Sequence, residues 1–390
     1  MILEEAERLQ KLPTYIFAKQ DKLKVEARKH GADLIDLGLG SPDIPPPTEV
    51  VDEMIKALKD PANHRYPPFE GSHEFKQAVI NWVKRQYNVH VNEEEVATLI
   101  GSKEGLVHLQ LAYLNPGDTS LVPMPAYPAH FRGAILAGAE PVVLPTTERS
   151  GYIPNLKIID ESIAKRAKML FLSFPTNPTG ATAPKEFFEE AVAFAKKYDL
   201  LLVHDFAYAE LYFDNQKPPS ILTIPGAKDV AIEFHTLSKT FGMAGWRCGF
   251  AVGNKKFIES LMKIKTNLDY GLFSAVQKAS IKALTIDNGY IDNVRATYQR
   301  RRDLVVDRLK DLGWNISKPK GAMYVWFPIP KGFNSYDWMI FLMEKAGVVV
   351  TPGIAFGELG EGYARISLID KEDVLNNAFD RMKKAGVRYG

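Results

Sequence analysis

Seven short apolar runs punctuate the first two thirds of the chain: 96-VATLI-100, 119-TSLVP-123, 141-PVVLP-145, 168-KMLFLSF-174, 200-LLLVHD-205, 230-VAIEFHT-236 and 248-CGFAVG-253. Most are nearly continuous in apolar residues rather than alternating. That is the pattern of strands covered on both faces in a mainly parallel sheet. Between them lie stretches such as 184-PKEFFEEAVAFAKKYD-199, apolar at three- and four-residue spacing, which predict amphipathic helices. Strand–helix–strand alternation of this kind predicts a doubly wound α/β domain.

The texture changes after about residue 285. A long charged helix is predicted over 291-IDNVRATYQRRRDLVVDRLKDLG-313, then shorter strands around 323-MYVWFPI-329, 348-VVVTP-352 and 364-ARISLI-369, and a closing helix over 371-KEDVLNNAFDRMKKAG-386. This reads as a smaller α+β domain. The Pro- and Gly-rich 36-DLGLGSPDIPPP-47 cannot be regular helix and suggests a crossing between domains. The expected division is an amino-terminal arm and part of the small domain over 1–45, a large domain over 46–285, and the rest of the small domain over 286–390. Arg300, Arg301 and Arg302 on the long helix read as a solvated face rather than a binding patch.

Composition narrows the classes. A chain of 390 residues is long for one core, and 46% hydrophobic with 25% charged residues is ordinary for a globular protein. With 49 basic against 47 acidic side chains the formal charge is +2, which offers no electrostatic footprint for nucleic acid or an anionic membrane. The single cysteine, Cys248, allows no intrachain disulfide, so a reducing cytoplasm is the simplest home. Beside Arg247 it is either a reactive thiolate or, the reading favoured here, the filler of a small apolar slot. No apolar run reaches membrane-spanning length, and MILEEAERLQ lacks a signal-peptide core.

Ligands in open α/β sheets sit at the carboxyl ends of the strands, so the residues following each run carry the candidate chemistry. After 96–100 comes 101-GSKEGL-106, where a helix start with free N–H groups favours a phosphate, or where Ser102 is simply an N-cap. After 168–174 comes 175-PTNPTG-180, which displays Asn177 or is simply a turn. Asp205 ends an apolar strand, is poorly solvated there, and should face a cation or a protonated ring nitrogen. Tyr208 follows three residues on. The run 230–236 delivers Ser238 and Lys239, with Arg247 eight positions later. A lysine among cationic neighbours in a dry site has a lowered pKa and becomes a nucleophilic amine. Alone it is as readily a surface lysine; all of these at strand ends are harder to explain away.

With 175-PTNPTG-180, 204-HDFAYAEL-211, 237-LSKTFGMAGWRCGF-250 and 365-RIS-367 in order and spacing, the chain resembles the class I/II, fold-type-I aminotransferases that use pyridoxal 5'-phosphate. The resemblance covers nearly the whole chain. It is closest to the branch of LL-diaminopimelate aminotransferases and certain bacterial alanine aminotransferases, through 12-LPTYIFA-18, 63-NHRYPPFEG-71, 100-IGSKEGL-106 and 233-EFHTLSKTFGMAGWR-247. It implies a mainly parallel sheet covered by helices with a smaller α+β domain, and an enzyme that moves an amino group between an L-amino acid and a 2-oxo acid. 2-Oxoglutarate and glutamate are the expected common pair.

By position, the resemblance implies that Lys239 links covalently to the cofactor aldehyde and that Asp205 keeps its ring nitrogen protonated. It assigns Asn177 and Tyr208 to the phenolic oxygen and Tyr127 to the ring face. Ser102, Lys103, Ser238 and Arg247 fall to the phosphate. Tyr66 would reach the phosphate of a partner subunit, which implies a homodimer. Arg365 would grip the substrate α-carboxylate, with Tyr15, Gly40 and Asn177 on the substrate side. Lys239, Asp205 and Tyr208 are the expected catalytic set, and no residue is assigned to a metal.

Two departures bear on substrate. The diaminopimelate branch typically has Gly-Asp-Pro-Asp where this chain has 40-GSPD-43, and Gly-Tyr-Pro-Val-Tyr where it has 126-AYPAH-130. Alanine or aspartate is therefore a competing amino donor. Lys103 has two readings, near the substrate or as added charge beside the phosphate. β-Lyases and cyclopropane-forming synthases share the lysine, aspartate and arginine. A DNA-binding regulator built on this fold fits less well, because Tyr15 falls early and the charge is near neutral.

Overall fold

The apolar runs pair as one seven-stranded sheet in the computed structural model, which describes residues 3–389; Met1 and Ile2 of the stretch MILEEAERLQ, and Gly390, lie outside the described residues. In spatial order the strands are Val96–Leu99, Gly249–Gly253, Ala231–Thr236, Leu201–Asp205, Ala167–Ser173, Thr119–Met124 and Glu140–Pro145. The last five pair in parallel, and Gly249–Gly253 is antiparallel to both of its neighbours. Ser173 lies opposite Asp205, Asp205 opposite Phe234, and Gly249 opposite both Thr236 and Leu99. The carboxyl ends of four strands therefore share one edge. Whatever follows each of them converges there.

Both faces of the sheet are covered. Leu170, Leu202, Phe187 and Phe188 belong to one apolar cluster, and Val122, Phe171, Val203 and Leu106 to another. Helix Lys185–Tyr198 covers part of the first with its expected apolar stripe. A separate cluster surrounds Trp314, Trp338, Val305 and Phe379 and joins helices Asn288–Asp311, Ser335–Ala346 and Glu372–Lys384 to an antiparallel sheet. That sheet holds Thr351–Pro352, Tyr363–Ser367 and Tyr324–Pro328.

The run 348–352 is not the single strand expected. Val348–Val349 pairs in parallel with Ile35–Asp36, whereas Thr351–Pro352 joins the antiparallel sheet. The handover lets the Thr351 hydroxyl donate to the Gly38 carbonyl at 2.7 Å. The crossing 36–47 is thereby tied to the smaller sheet.

The arginine run also departs from expectation. Arg300 is exposed, but Arg301 and Arg302 are 4% and 1% exposed. Arg301 donates to both carboxylate oxygens of Asp43 at 2.7 and 2.8 Å and to the Leu368 carbonyl at 3.0 Å. Arg302 does the same to Asp214 at 2.6 and 2.9 Å. A guanidinium is buried only where a fork of acceptors replaces its water, and these two have one. Arg301 thus clamps the crossing through Asp43.

Beneath the site edge Glu233 is fully buried. It accepts from the Ser220 hydroxyl and the Ile221 N–H and meets His204 at 2.9 Å and His235 at 2.8 Å. Burial alone would raise this carboxyl, but the bonds to His204 and His235 overcome it and hold the group at about 2, against an ordinary 4.5. Cys248 is buried against the Ser280 hydroxyl, and burial pushes its thiol up to about 12, so it is a packed side chain and not a thiolate.

Two outcomes follow. Asp43→Ala strands a buried guanidinium and should lower unfolding free energy by about 3 kcal/mol. Arg301→Met leaves only a carboxylate that water can reach, with a loss nearer about 1 kcal/mol. Urea titration of both variants checks that order. For Glu233 the depressed pKa means its stabilisation is complete above the ordinary value of 4.5 and is lost as pH falls toward about 2. The stability gap between the parent and Glu233→Gln should shrink across that window, read by urea unfolding at stepped pH.

Candidate active site

Lys239 sits in a four-residue helical turn, Leu237–Thr240, immediately after strand Ala231–Thr236. Thr236 caps that turn, its hydroxyl accepting the Ser238 N–H at 3.2 Å. The strand thus ends by aiming Lys239 into a cavity of about 310 Å³ rather than into solvent. Its ammonium donates to the Gly40 carbonyl at 2.6 Å. Burial, together with the guanidiniums of Arg365 and Arg247, pulls this amine below its ordinary value, with Tyr324 and Asp205 opposing. Such a lowering favours the neutral, nucleophilic form of the amine relative to an exposed lysine.

Asp205 ends the neighbouring strand and is buried. One carboxylate oxygen accepts the Ala207 N–H at 3.3 Å; the other lies 2.9 Å from His130 Nε2. His130 stacks on Phe171 with centroids 5.5 Å apart and meets the Tyr127 ring edge-on at 5.8 Å. It was not among the expected residues. Its only signal was the pentapeptide 126-AYPAH-130, where Pro128 precedes helix Ala129–Leu136 and puts the imidazole within a turn of Tyr127.

Opposite Lys239, Arg365 projects from strand Tyr363–Ser367 and is 2% exposed. It donates to Asn177 Oδ1 at 2.8 Å, to the Gly38 carbonyl at 2.7 Å and to the Thr351 hydroxyl at 3.2 Å. Its guanidinium lies 4.0 Å from the Tyr324 ring centroid and 4.9 Å from that of Phe356. Its Nε is buried with no hydrogen-bond partner among the described residues, and burial lowers the pKa of the whole group. A buried, incompletely satisfied guanidinium is a standing demand for an anion. Tyr324 is the second residue the sequence did not single out: its hydroxyl lies 2.8 Å from that of Tyr208.

A third group forms an anion cradle. Helix Ser102–Tyr113 begins after Gly101, whose φ of 100° is left-handed and whose added Cβ would collide with the Arg247 guanidinium. Ser102, Ser238, Thr236 and Arg247 line that end of the cavity beside the free N–H groups of the helix start. Lys103 and Arg132 lie 5.5 and 5.0 Å from the centroid of the Tyr15 ring, which closes the outer side.

Of the expected residues, Lys239, Asp205, Tyr208, Ser102, Lys103, Tyr127, Asn177, Ser238, Arg247, Arg365, Tyr15 and Gly40 all line this one cavity. Tyr66 does not. It is 81% exposed and stacks on Tyr270 at 4.5 Å, outside the cavity. A larger cleft of about 810 Å³ beside Tyr152, Thr182, Pro319 and Trp326 contains none of these groups. In the triad Glu104, His108 and Asp269, the two carboxylates hold the Lys265 ammonium, which supplies their cation. Among the described residues no helix is long and apolar enough to cross a membrane.

The cavity therefore offers a buried amine, a buried carboxylate, a guanidinium lacking an anion, and a helix-start cradle. Residues 32–381 match the family of aminotransferases of class I and II. The chain is 46% identical to an LL-diaminopimelate aminotransferase of Halothermothrix orenii over 99% of this chain and 100% of that one. It is 46% identical to another from Moorella thermoacetica over 98% of each. Among solved structures it is similar to apo-BacF from Bacillus subtilis, with TM-score 0.96 and 40% identity over 100% of both chains. It is also similar to a double mutant of Thermus thermophilus aspartate aminotransferase, with TM-score 0.92 and 29% identity over 98% of this chain and 100% of that one. The buried amine and carboxylate at adjacent strand ends, facing an arginine across one cavity, thus lie in a chain that belongs to the class I and II aminotransferases.

Proposed function

We propose that this transferase uses pyridoxal 5'-phosphate, held in the cavity around Lys239, to move an amino group from LL-diaminopimelate to 2-oxoglutarate. The observation that carries the cofactor reading is the placement of the Lys239 amine, with its pKa lowered by burial, beside a carboxylate that a histidine orients. The donor set fits the group: a helix-start cradle with Ser102, Ser238 and Arg247 suits a phosphate, and no Cβ could occupy Gly101 without displacing Arg247. The family implies the same cofactor.

When bound, the cofactor would supply a carbonyl for the amine and a protonated ring that withdraws electrons from the substrate Cα. Asp205, ordered by His130, would hold the proton on the ring nitrogen. Tyr127 would pack on the ring, and Asn177 and Tyr208 would serve its phenolic oxygen. Arg365, with its unpartnered Nε, would bind the α-carboxylate and fix which face of Cα Lys239 meets. Lys239 would take the α-proton and return it one carbon away, the proton shift that transamination requires. Lys103, in the cavity wall beside Tyr15, suits the second anionic end of a dicarboxylic substrate.

Tyr66 and Tyr270, half or more exposed, support a homodimer in which Tyr66 of one copy completes the phosphate site of the other. We take 46–285 as the cofactor-binding domain and 1–45 with 286–390 as the smaller domain, and place the enzyme in the cytoplasm. Support for diaminopimelate comes from the two full-length relatives that carry that name. Ser41 lines the cavity where that branch typically has an aspartate, which favours a second reading with alanine or another small donor.

Lys239→Ala should hold the cofactor without a covalent link, yield no adduct after borohydride reduction, and lose activity by about 10³-fold or more. Full turnover by that variant would exclude the assigned amine. A panel of LL-diaminopimelate, alanine and aspartate, ranked by kcat/KM with 2-oxoglutarate, should place diaminopimelate first. Alanine in first place would shift the assignment to the second reading.

A further inference from the structure

Two buried phenol hydroxyls, Tyr208 and Tyr324, lie 2.8 Å apart at the cavity wall. Each has one proton, and only one of them can donate to the other. If Tyr208 donates, nothing remains for it to offer the cavity. If Tyr324 donates, the Tyr208 proton is directed elsewhere.

Charge decides between them. The Arg365 guanidinium lies 4.0 Å from the centroid of the Tyr324 ring, and the Lys239 amine is the other strong positive neighbour of that phenol. The cation over the Tyr208 ring is the more distant Lys239 amine, 5.8 Å from its centroid. Burial alone would raise the Tyr324 hydroxyl, but Lys239 and Arg365 more than offset it and bring it below the ordinary tyrosine value. Burial and then Tyr324 itself push Tyr208 well above that value. With a guanidinium stacked 4.0 Å from its ring centroid, Tyr324 is the better donor of the two. Gly40 makes the arrangement possible, because a Cβ there would collide with the Tyr324 hydroxyl.

We propose that Tyr324 is a positioning residue whose hydroxyl donates to the Tyr208 oxygen and so turns the Tyr208 proton into the cavity, where the phenolic oxygen of the proposed cofactor would accept it. The inference rests on the cofactor reading above. A fixed donor replaces a free rotor, and the rotor's entropy is settled before the ligand arrives. Tyr324 stands in the smaller sheet and Tyr208 follows the larger one, so the two sheets are joined at this bond.

The test is the pH titration of visible absorbance in the cofactor-loaded protein, in the parent, Tyr324→Phe, Tyr208→Phe and the double variant. A donor to an oxygen that is anionic in the high-pH form favours that form, so losing it raises the midpoint. The other charged or titratable groups facing this region, Lys239, Arg365, Arg247, Asp205 and Tyr127, are unchanged in all four proteins. Tyr324→Phe should raise the midpoint by about half a unit, Tyr208→Phe by more, and the double variant by no more than Tyr208→Phe alone. An unmoved midpoint in Tyr324→Phe, or a double variant equal to the sum of the singles, overturns the proposal. Gly40→Ala displaces the same hydroxyl without removing it and should shift the midpoint in the same direction; it serves if Tyr324→Phe does not fold. A parent protein that takes up no colour would instead end the cofactor reading itself.

Discussion

One amine in a dry cavity, with two guanidiniums near it and a single carboxylate in opposition, governs the structure around it. Lys239 meets Arg365 and Arg247 as like charges, with Tyr324 and Asp205 opposing them. Left to itself an exposed lysine would swing to water and stay charged. Three features hold it in the cavity instead: a helical turn capped by Thr236, a carbonyl at Gly40 to receive the amine, and walls supplied by both sheets. Each lies on a different part of the chain, so the pKa of one side chain depends on the register of the whole fold.

The crossing 36–47 shows how that dependence is built. Its Gly40 carbonyl binds Lys239 and its Gly38 carbonyl binds Arg365, the two groups at opposite ends of the proposed reaction. A segment without regular secondary structure would not hold two carbonyls in place unaided. Arg301 grips Asp43 from the long helix, Thr351 bonds Gly38 from the smaller sheet, and Ile35–Asp36 pairs with Val348–Val349. Arg301 on the long helix thereby acts on the cavity from a distance, by fixing what fixes the lysine.

Legibility in the sequence followed the same physical divisions. Strand ends could be read because continuous apolar runs broke off at a polar residue, and that break is where a doubly wound sheet exposes its site edge. Asp205, Asn177, Ser102 and Lys239 were visible for that reason. His130 was not, because it lies inside a helix start and gains meaning only from Asp205, 75 positions away in the chain. Tyr324 was hidden within 323-MYVWFPI-329, where one more aromatic looks like core, and only the partner hydroxyl of Tyr208 distinguishes it. Arg301 and Arg302 looked solvated because a charge run carries no trace of the distant carboxylates that bury it. The break in 348–352 was equally invisible, since the run is extended throughout and only the partners of its two halves differ. Local pattern reported where chemistry could emerge, and long-range pairing decided what surrounded it.

The sheet pays for this site with buried charge in a way that also organises it. Glu233 lies within strand Ala231–Thr236, just behind the site edge, paired with His204, the residue just before Asp205, and with His235, just before Thr236. Two adjacent strands that deliver the carboxylate and the amine are thus bridged by one carboxylate shared between their imidazoles. A hydrophobic replacement could match the packing there, but it would leave the relative slide of the strands to apolar contacts, which are indifferent to small shifts. A single carboxylate accepting from two rings tolerates far less. The register that sets Asp205 against Phe234, and so brings Lys239 to its carboxylate, is held by directional bonds just behind the residues that need it.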